Sequence, residues 1–235
     1  MLLAIDSSAG ASAAVLDAGT AVGSWRTEAT TTHAEVLATG VQEVLAQAEL
    51  EPTAPQRPAG RTGQGLEAVV VGVGPGPFTG LRVGLVLAHA LAEVWSLPLH
   101  GVSGLDGLAL RAVEQGLVDT GGDFQVAVDA RRREVYSARY RAGDDSEDPG
   151  SSGVVRLGAP QVGPAHELPD LAVIGVGAEL YPDSLTPVPG TETWTADAVE
   201  LGRLAAHPVH RLDPRPLYLR DSDAKVPAPR KRAQP

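Results

Sequence analysis

The chain contains no cysteine. That excludes a disulfide framework, thiol catalysis and cysteine-ligated zinc, and it agrees with a reducing compartment. Positive charge is also scarce, with 19 Lys and Arg against 29 Asp and Glu for a formal net charge of -10. Such a chain lacks the electrostatic footprint of a protein that grips nucleic acid unaided, so any polynucleotide contact is expected to be local or delegated. The start, MLLAIDSS, carries no basic leader and reaches Asp6 too early for a signal peptide, and the apolar runs fall short of membrane-spanning length. A soluble, cytoplasmic protein without a membrane partner is expected. With 235 residues and 43% hydrophobic content, one large or two small domains can bury an ordinary core.

The stretch Val69 to Leu91, VVVGVGPGPFTGLRVGLVLAHAL, organises the rest. A continuous apolar strand runs through Gly72, Gly74 and Gly76, with Pro75 and Pro77 interleaved, into an almost wholly apolar helix. Thr79 is the expected N-cap. The free N–H groups and the helix dipole could receive an anion, but no Lys-Ser/Thr pair follows the glycines. Pro77 also stands where the last glycine of a dinucleotide fingerprint belongs. The turn reads as architecture first and as a phosphate cradle second. From Leu81 to Trp95 only Arg82, His89 and Glu93 are charged or imidazole side chains, and they share a stripe about 40° wide. A ridge of small residues, Gly80, Gly84, Ala88 and Ala92, runs opposite. This helix has more apolar face than one sheet needs, so it is either buried centrally or turned partly towards another chain.

Leu2 to Ile5, Ser12 to Asp17 and Thr20 to Thr27 read as a three-strand antiparallel meander. Asp6, Ser7 and Ser8 leave the first strand, where they could meet a phosphate or hydrated Mg²⁺, or simply close a turn. Thr32-His33-Ala34-Glu35 is a capping-box pattern before Val36, Leu37, Gly40, Val41, Val44, Leu45 and Ala48 at helical spacing. Glu51 to Gly65 reads as a loop. A strand at Leu99 to Ser103 and a helix from about Leu105 to Gln115 follow. Strands separated by helices extend the meander into a mixed sheet, the order of the ribonuclease-H-like lobe of the actin, Hsp70 and sugar kinase (ASKHA) superfamily. The fold class expected is α/β, and the resemblance to that superfamily implies two such lobes, the second smaller and degenerate. The division expected is 1–116 for the first lobe, 117–222 for the second and 223–235 for a disordered basic, proline-rich tail.

In the second half, VAVDARRREVYSARY alternates as two strands around a turn at Asp129 to Arg133, whose arginines either contact phosphate or nucleic acid or form a solvated tip. Gly143 to Gly153 reads as an acidic mobile loop. Leu171 to Gly177 is a buried strand entering a glycine turn with Gly175 and Gly177, Ala196 to Ala206 a further helix, and Pro214 to Arg220 an extended segment lying against the first lobe.

AIDSS, THAEVL, GVGPGPFTGLRVG, HGVSGLDGL, VDARRREVYSARY and a late YLR together resemble the TsaB (YeaZ) family of bacterial tRNA threonylcarbamoyladenosine biosynthesis proteins. The resemblance is strong over Met1 to Tyr140, and GPGPFTGLRVG is its most specific piece. It implies a non-catalytic paralogue of TsaD, once described as a glycoprotease, that supports TsaD in making t6A at position 37 of tRNAs reading ANN codons. TsaD-like proteins carry a metal-binding H-x-x-x-H pair after the equivalent helix. Gly104 and Leu108 stand in those places here.

The resemblance further implies a TsaD-like catalytic partner, a homodimer, a TsaE-like ATPase in the same complex, and contact with tRNA only through the partner. No catalytic residue, metal or required cofactor is expected in this chain, with ATP or ADP held at most at a subunit boundary. The interface residues expected are His33, Val36, Leu37, Gly40, Val41, Val44, Leu81, Leu85, Ala88 and His89. A weak nucleotide or phosphate site is expected at Asp6, Ser7, Ser8, Asp129, Gly175 and Gly177. Two other readings compete: an ASKHA-type ATPase or kinase working through Asp6 and Asp129, and a peptidase, for which the sequence shows no nucleophile-base constellation.

Overall fold

This computed structural model describes residues 1–27, 33–51, 65–143 and 152–220, with the backbone alone at 33–35. Most of the loops expected at 51–65 and 143–153, and all of the tail at 223–235, lie outside the described residues. β1 (Leu2–Asp6), β2 (Ala11–Asp17) and β3 (Thr20–Thr27) form the meander, followed by α1 (His33–Gln47), β4 (Ala68–Gly72), α2 (Phe78–Trp95), β5 (Leu99–Val102) and α3 (Gly104–Glu114). The second half holds the hairpin β6 (Asp123–Asp129) and β7 (Glu134–Ala142), short β8 (Val154–Arg156) and β9 (Gln161–Pro164), then β10 (Ala172–Ile174), α4 (Val176–Leu180), β11 (Thr186–Pro187) and α5 (Ala198–Ala205).

The first sheet runs β3-β2-β1-β4-β5, antiparallel through the meander and parallel from β1 through β4 to β5. The second runs β11-β10-β6-β7-β8, with β9 also on β7. Reversed, that is the same order: a hairpin strand pair extended on one side by an antiparallel strand and on the other by two parallel ones. The α/β fold of two related sheets is thus present, and the second repeats the first with shorter parts.

Alternation along the strands decides the layers. Leu3, Ile5, Val69 and Val71 turn towards α1 and α2, whereas Ala4 and Val70 turn to the other face and its core with α3 and α5. Both faces are buried, so a one-residue slip would force Leu3 and Ile5 into the space of Ala4, an overpacking that costs about 1–3 kcal/mol per site, and leave voids on the face they vacate. The core on this second face also takes in Phe124, Val126 and Tyr140 of the second sheet, so α3 and α5 lie between the sheets and join them.

The expected lobes are not consecutive in the chain. α5 packs on β1, β2 and β4, and the segment after it returns to the first sheet. There Leu212 pairs with Gly101, and the Leu217 N–H donates to Val73 O at 2.8 Å. The boundary at 116 therefore marks the passage between sheets, while residues beyond 197 come back to the first. α2 corrects the expectation about apolar runs: by length and composition alone it could cross a bilayer. Its Leu81, Leu85, Ala88, Ala92 and Trp95 are instead buried within this chain, as in the core helix of a globular fold.

Candidate functional site

A cleft of about 520 Å³ opens between the two sheets. Ser8, the Gly76-Pro77 turn, Thr79, Leu105 and Leu108 line it from the first half, with Asp129, Arg131, Val176 and Ala196 from the second. Thr79 does not cap the helix. α2 begins at Phe78 with Pro77 in the cap position and no side-chain cap bond, since the proline ring carries no acceptor.

The expected phosphate residues divide into two groups. Asp6 is buried, its Oδ2 accepting from the Ser8 N–H at 2.9 Å and the Ser8 hydroxyl at 2.8 Å. Its Oδ1 has no partner and points at Gly72, where an added Cβ would lie 1.9 Å away. Burial raises the Asp6 pKa, against the pull of the two Ser8 bonds. Ser7 is buried as well; its hydroxyl donates to Gly80 O at 2.7 Å and accepts from the Gly84 N–H at 2.8 Å. The small-residue ridge of α2 exists for this approach, because a Cβ on Gly84 would meet Ser7 Oγ at 2.5 Å.

Only Ser8 and Asp129 reach the cleft. Asp129 accepts from the Arg131 N–H at 2.7 Å and pairs with its guanidinium at 3.1 Å. Gly175 and Gly177 stand behind the wall, pressed against the Ala127 backbone at Cβ distances of 2.8 Å, so their glycines serve the packing of α4 on β6. The two aspartates are not brought together on a common ligand.

The donor set for a metal fails here on geometry as well as on residue type. Gly104 and Leu108 both line the cleft on α3, and a Cβ at Gly104 would lie 2.9 Å from the Ala196 Cβ. Ala196 occupies the room a longer side chain would need. Among the described residues no cluster of three or more His, Asp and Glu could hold a metal ion.

The expected interface residues need correcting. Leu37, Val41, Val44, Leu81, Leu85 and Ala88 are buried in the chain's own core. Gly40 receives the Trp25 indole of β3, which would lie 2.3 Å from an added Cβ. Val36 is half-buried, His89 is exposed with Nε2 2.8 Å from Pro214 O, and the His33 side chain lies outside the described residues. Helical spacing identified an apolar face but not its direction. The surface that α2 offers outward holds Val86 and Val94, 68% and 76% exposed, together with Ala90.

A further cluster was missed in the sequence. Asp106 is buried on α3, accepting from the Tyr140 hydroxyl at 2.7 Å and from Arg156 at 3.0 and 3.1 Å, with His210 Nδ1 at 3.8 Å. Burial and the neighbouring Asp106 carboxylate push the Tyr140 pKa well above its ordinary value. Ser152 Oγ lies 2.6 Å from His210 Nε2. The order Ser-His-Asp invites comparison with a hydrolase, but 3.8 Å is too long for the orienting hydrogen bond and the carboxylate is already taken by Tyr140 and Arg156. The cluster is a clamp between α3, the second sheet and the C-terminal segment.

Comparison with known proteins supplies the family. Residues 26–159, more than half the chain, match the family described as TsaD, tRNA N6-adenosine threonylcarbamoyltransferase. An uncharacterized protein of Mycobacterium leprae is 37% identical over 196 residues, covering 82% of this chain and 46% of the relative, so the chain spans about half that protein's length. The tRNA threonylcarbamoyladenosine biosynthesis protein TsaB of Escherichia coli is 41% identical over 78 residues, 32% of each protein. YeaZ from Pseudomonas aeruginosa superposes with a TM-score of 0.72 at 25% identity, over 93% of this chain and 99% of that one. On these matches the chain belongs to the TsaD family, and its relatives include proteins named TsaB and YeaZ.

Proposed function

We propose that this chain is a non-catalytic subunit in the biosynthesis of t6A in tRNA, acting in the cytoplasm by binding and supporting a TsaD-like catalytic subunit. The observation that supports this reading is the cleft wall: Gly104 and Leu108, the positions that the resemblance assigns to a metal-binding histidine pair, carry no ligating atom, and Ala196 fills the space beside Gly104. A fold that keeps the cleft but fills its metal positions retains shape without the chemistry.

The partner, and a second copy of the chain, dock on the outer face of α2 around Val86 and Val94 with the adjoining exposed side of α1. A TsaE-like ATPase joins the same assembly, and any ATP or ADP lies at a subunit boundary. Asp6, sealed against Gly72, is a poor anchor for a kinase-type metal, which disfavours the ATPase reading. Co-purification with the TsaD-like subunit tests the docking. Val86→Glu with Val94→Glu should abolish it while circular dichroism and melting stay native. Undiminished capture by the double variant would refute the placement.

A further inference from the structure

A second pocket, of about 410 Å³, lies beside the cleft, beyond the Gly76-Pro77 turn. Its size falls in the range of about 300–1,000 Å³ usual for small-molecule sites. The side chains that give it character are Phe78, Tyr136, Tyr218, Arg131, Arg132 and Arg220. The whole chain has 2 Phe and 4 Tyr, so half of these six rings meet at one pocket. Three arginines line it, with Asp129 pairing Arg131 and Glu134 pairing Arg220 from just outside the lining. The aromatic bias runs against the composition of the chain.

The rings form a shelf. Phe78 and Tyr218 stack with centroids 4.9 Å apart and planes 23° from parallel. The Arg82 guanidinium lies 3.6 Å over the Phe78 ring, and its Nε donates to the Tyr218 hydroxyl at 3.1 Å. Yet Phe78 and Tyr218 remain 48% and 44% exposed, although burying them would be favourable. The arginines arrive by an unusual backbone: Arg131, Arg132 and Arg133 take φ of 61°, 58° and 64°, each in the left-handed region. That conformation costs about 1–2 kcal/mol per residue for a side chain other than glycine. Three in a row without a glycine is a hairpin tip that holds guanidinium groups at the pocket at a cost in stability. Arg220 is fixed below, donating to Ala130 O at 3.1 Å and pairing with Glu134.

We infer that this pocket binds a nucleotide unit, with the base stacked on the Tyr218 and Phe78 shelf and the phosphate received by Arg131 and Arg132. Aromatic faces interleaved with arginines recognise an unpaired base and its backbone, whereas a duplex would offer no free face to stack. The unit comes either from a free mononucleotide or from an unpaired stretch of RNA, and the two share this chemistry. The shelf uses Phe78 and Arg82 at the start of α2, but its test positions, Tyr218, Arg131 and Arg132, leave Asp6, Val86 and Val94 unchanged, so its failure and that of the docking proposed above are distinguishable. It is also the kind of local contact that a net acidic chain still permits.

Fluorescence anisotropy of the full chain with a labelled single-stranded 8-nucleotide RNA at low salt, with AMP as competitor, tests this. Saturable binding is expected, weakened roughly ten-fold in Tyr218→Ala and retained in Tyr218→Phe. In the pair Arg131→Gln, Arg132→Gln the salt dependence of log K for the RNA should become shallower by about 0.7, since the one phosphate that the two arginines receive is no longer neutralised. Competition by AMP at millimolar concentration identifies the mononucleotide as sufficient; binding of RNA without such competition identifies the strand. The inference is overturned if neither RNA nor AMP binds, or if both sets of variants bind as the wild type does. Because the two arginines are exposed at a hairpin tip, their replacement tests the site even if Tyr218→Ala disturbs the C-terminal segment.

Discussion

The two sheets share one strand order but carry it to different lengths. In the first, β4 leads into α2 of 18 residues; in the second, the corresponding β10 leads into α4 of 5. α4 packs on β6, β10 and β11, whereas α2 covers β1 and β4 and still presents Val86 and Val94 to solvent. The strand-end aspartates differ in the same sense: Asp6 is sealed under Gly72, and Asp129 stands open on the hairpin beside Arg131. The duplicated frame thus differs between its halves: the first presents a long outward helix that also carries Phe78, and the second an arginine-bearing hairpin tip.

The sharpest way to break this comparison is within α2, where neighbouring residues belong to opposite faces. Leu85→Glu places a charge in the core and should cost about 4 kcal/mol or more, on the order of what an uncompensated buried charge demands, enough to prevent a cooperative thermal transition. Val86→Glu, one residue on, should leave the melting temperature within about 2 °C, as exposed substitutions shift stability by only about 0.5 kcal/mol. Equal effects at the two positions would mean that the outer face is internal.

Next in size is the clamp that holds the halves together. Asp106→Ala removes the partner of Tyr140 and leaves Arg156 uncompensated, and a loss of about 3–5 kcal/mol in urea unfolding is expected. If the second sheet then melts before the first, the transition will split, and the two halves are shown to be separable.

Glu200 on α5 sharpens the junction from another side. Burial, with nearby Asp197 adding to it, pushes its pKa up to about 7, although Arg111 and Arg203 oppose the shift. Its Oε2 has no hydrogen-bond partner, and Oε1 lies 3.9 Å from Arg111 Nε. A carboxyl that binds its proton more tightly when folded makes stability fall as pH rises from about 4.5 to about 7, with the whole cost present above that. Glu200→Gln should therefore change little at pH 4.5 and stabilise by about 2–3 kcal/mol at pH 8. A gain independent of pH would place the cause elsewhere. A smaller loss is expected at the ridge, where Gly84→Ala drives a methyl onto Ser7 and should cost about 1–3 kcal/mol by differential scanning calorimetry.

The sequence made the frame legible wherever a periodic pattern met a turn signal. β3 begins and ends at the expected residues, and the glycine-proline turn before α2 marks its start within two residues. Direction was not legible. The apolar spacing of Leu37, Val41 and Val44 is the same whether the face meets a sheet or a partner, and only the Trp25 ring on Gly40 shows which. The clamp stayed hidden for a different reason. Tyr140 and Arg156 lie 34 and 50 residues from Asp106, so no local spacing joins them. The aromatic shelf likewise joins Phe78 to Tyr218, which only the returning C-terminal segment brings together.

On the reading proposed above, this chain works through a partner and not through its own cleft. Reconstituted t6A synthesis on an ANN-reading tRNA, with the TsaD-like and TsaE-like subunits and with or without this chain, tests it most directly. Strict dependence on the chain, no product from the chain alone, and loss of product with Val86→Glu and Val94→Glu are predicted. Full synthesis in its absence, or turnover by the isolated chain that Asp6→Asn abolishes, would contradict it.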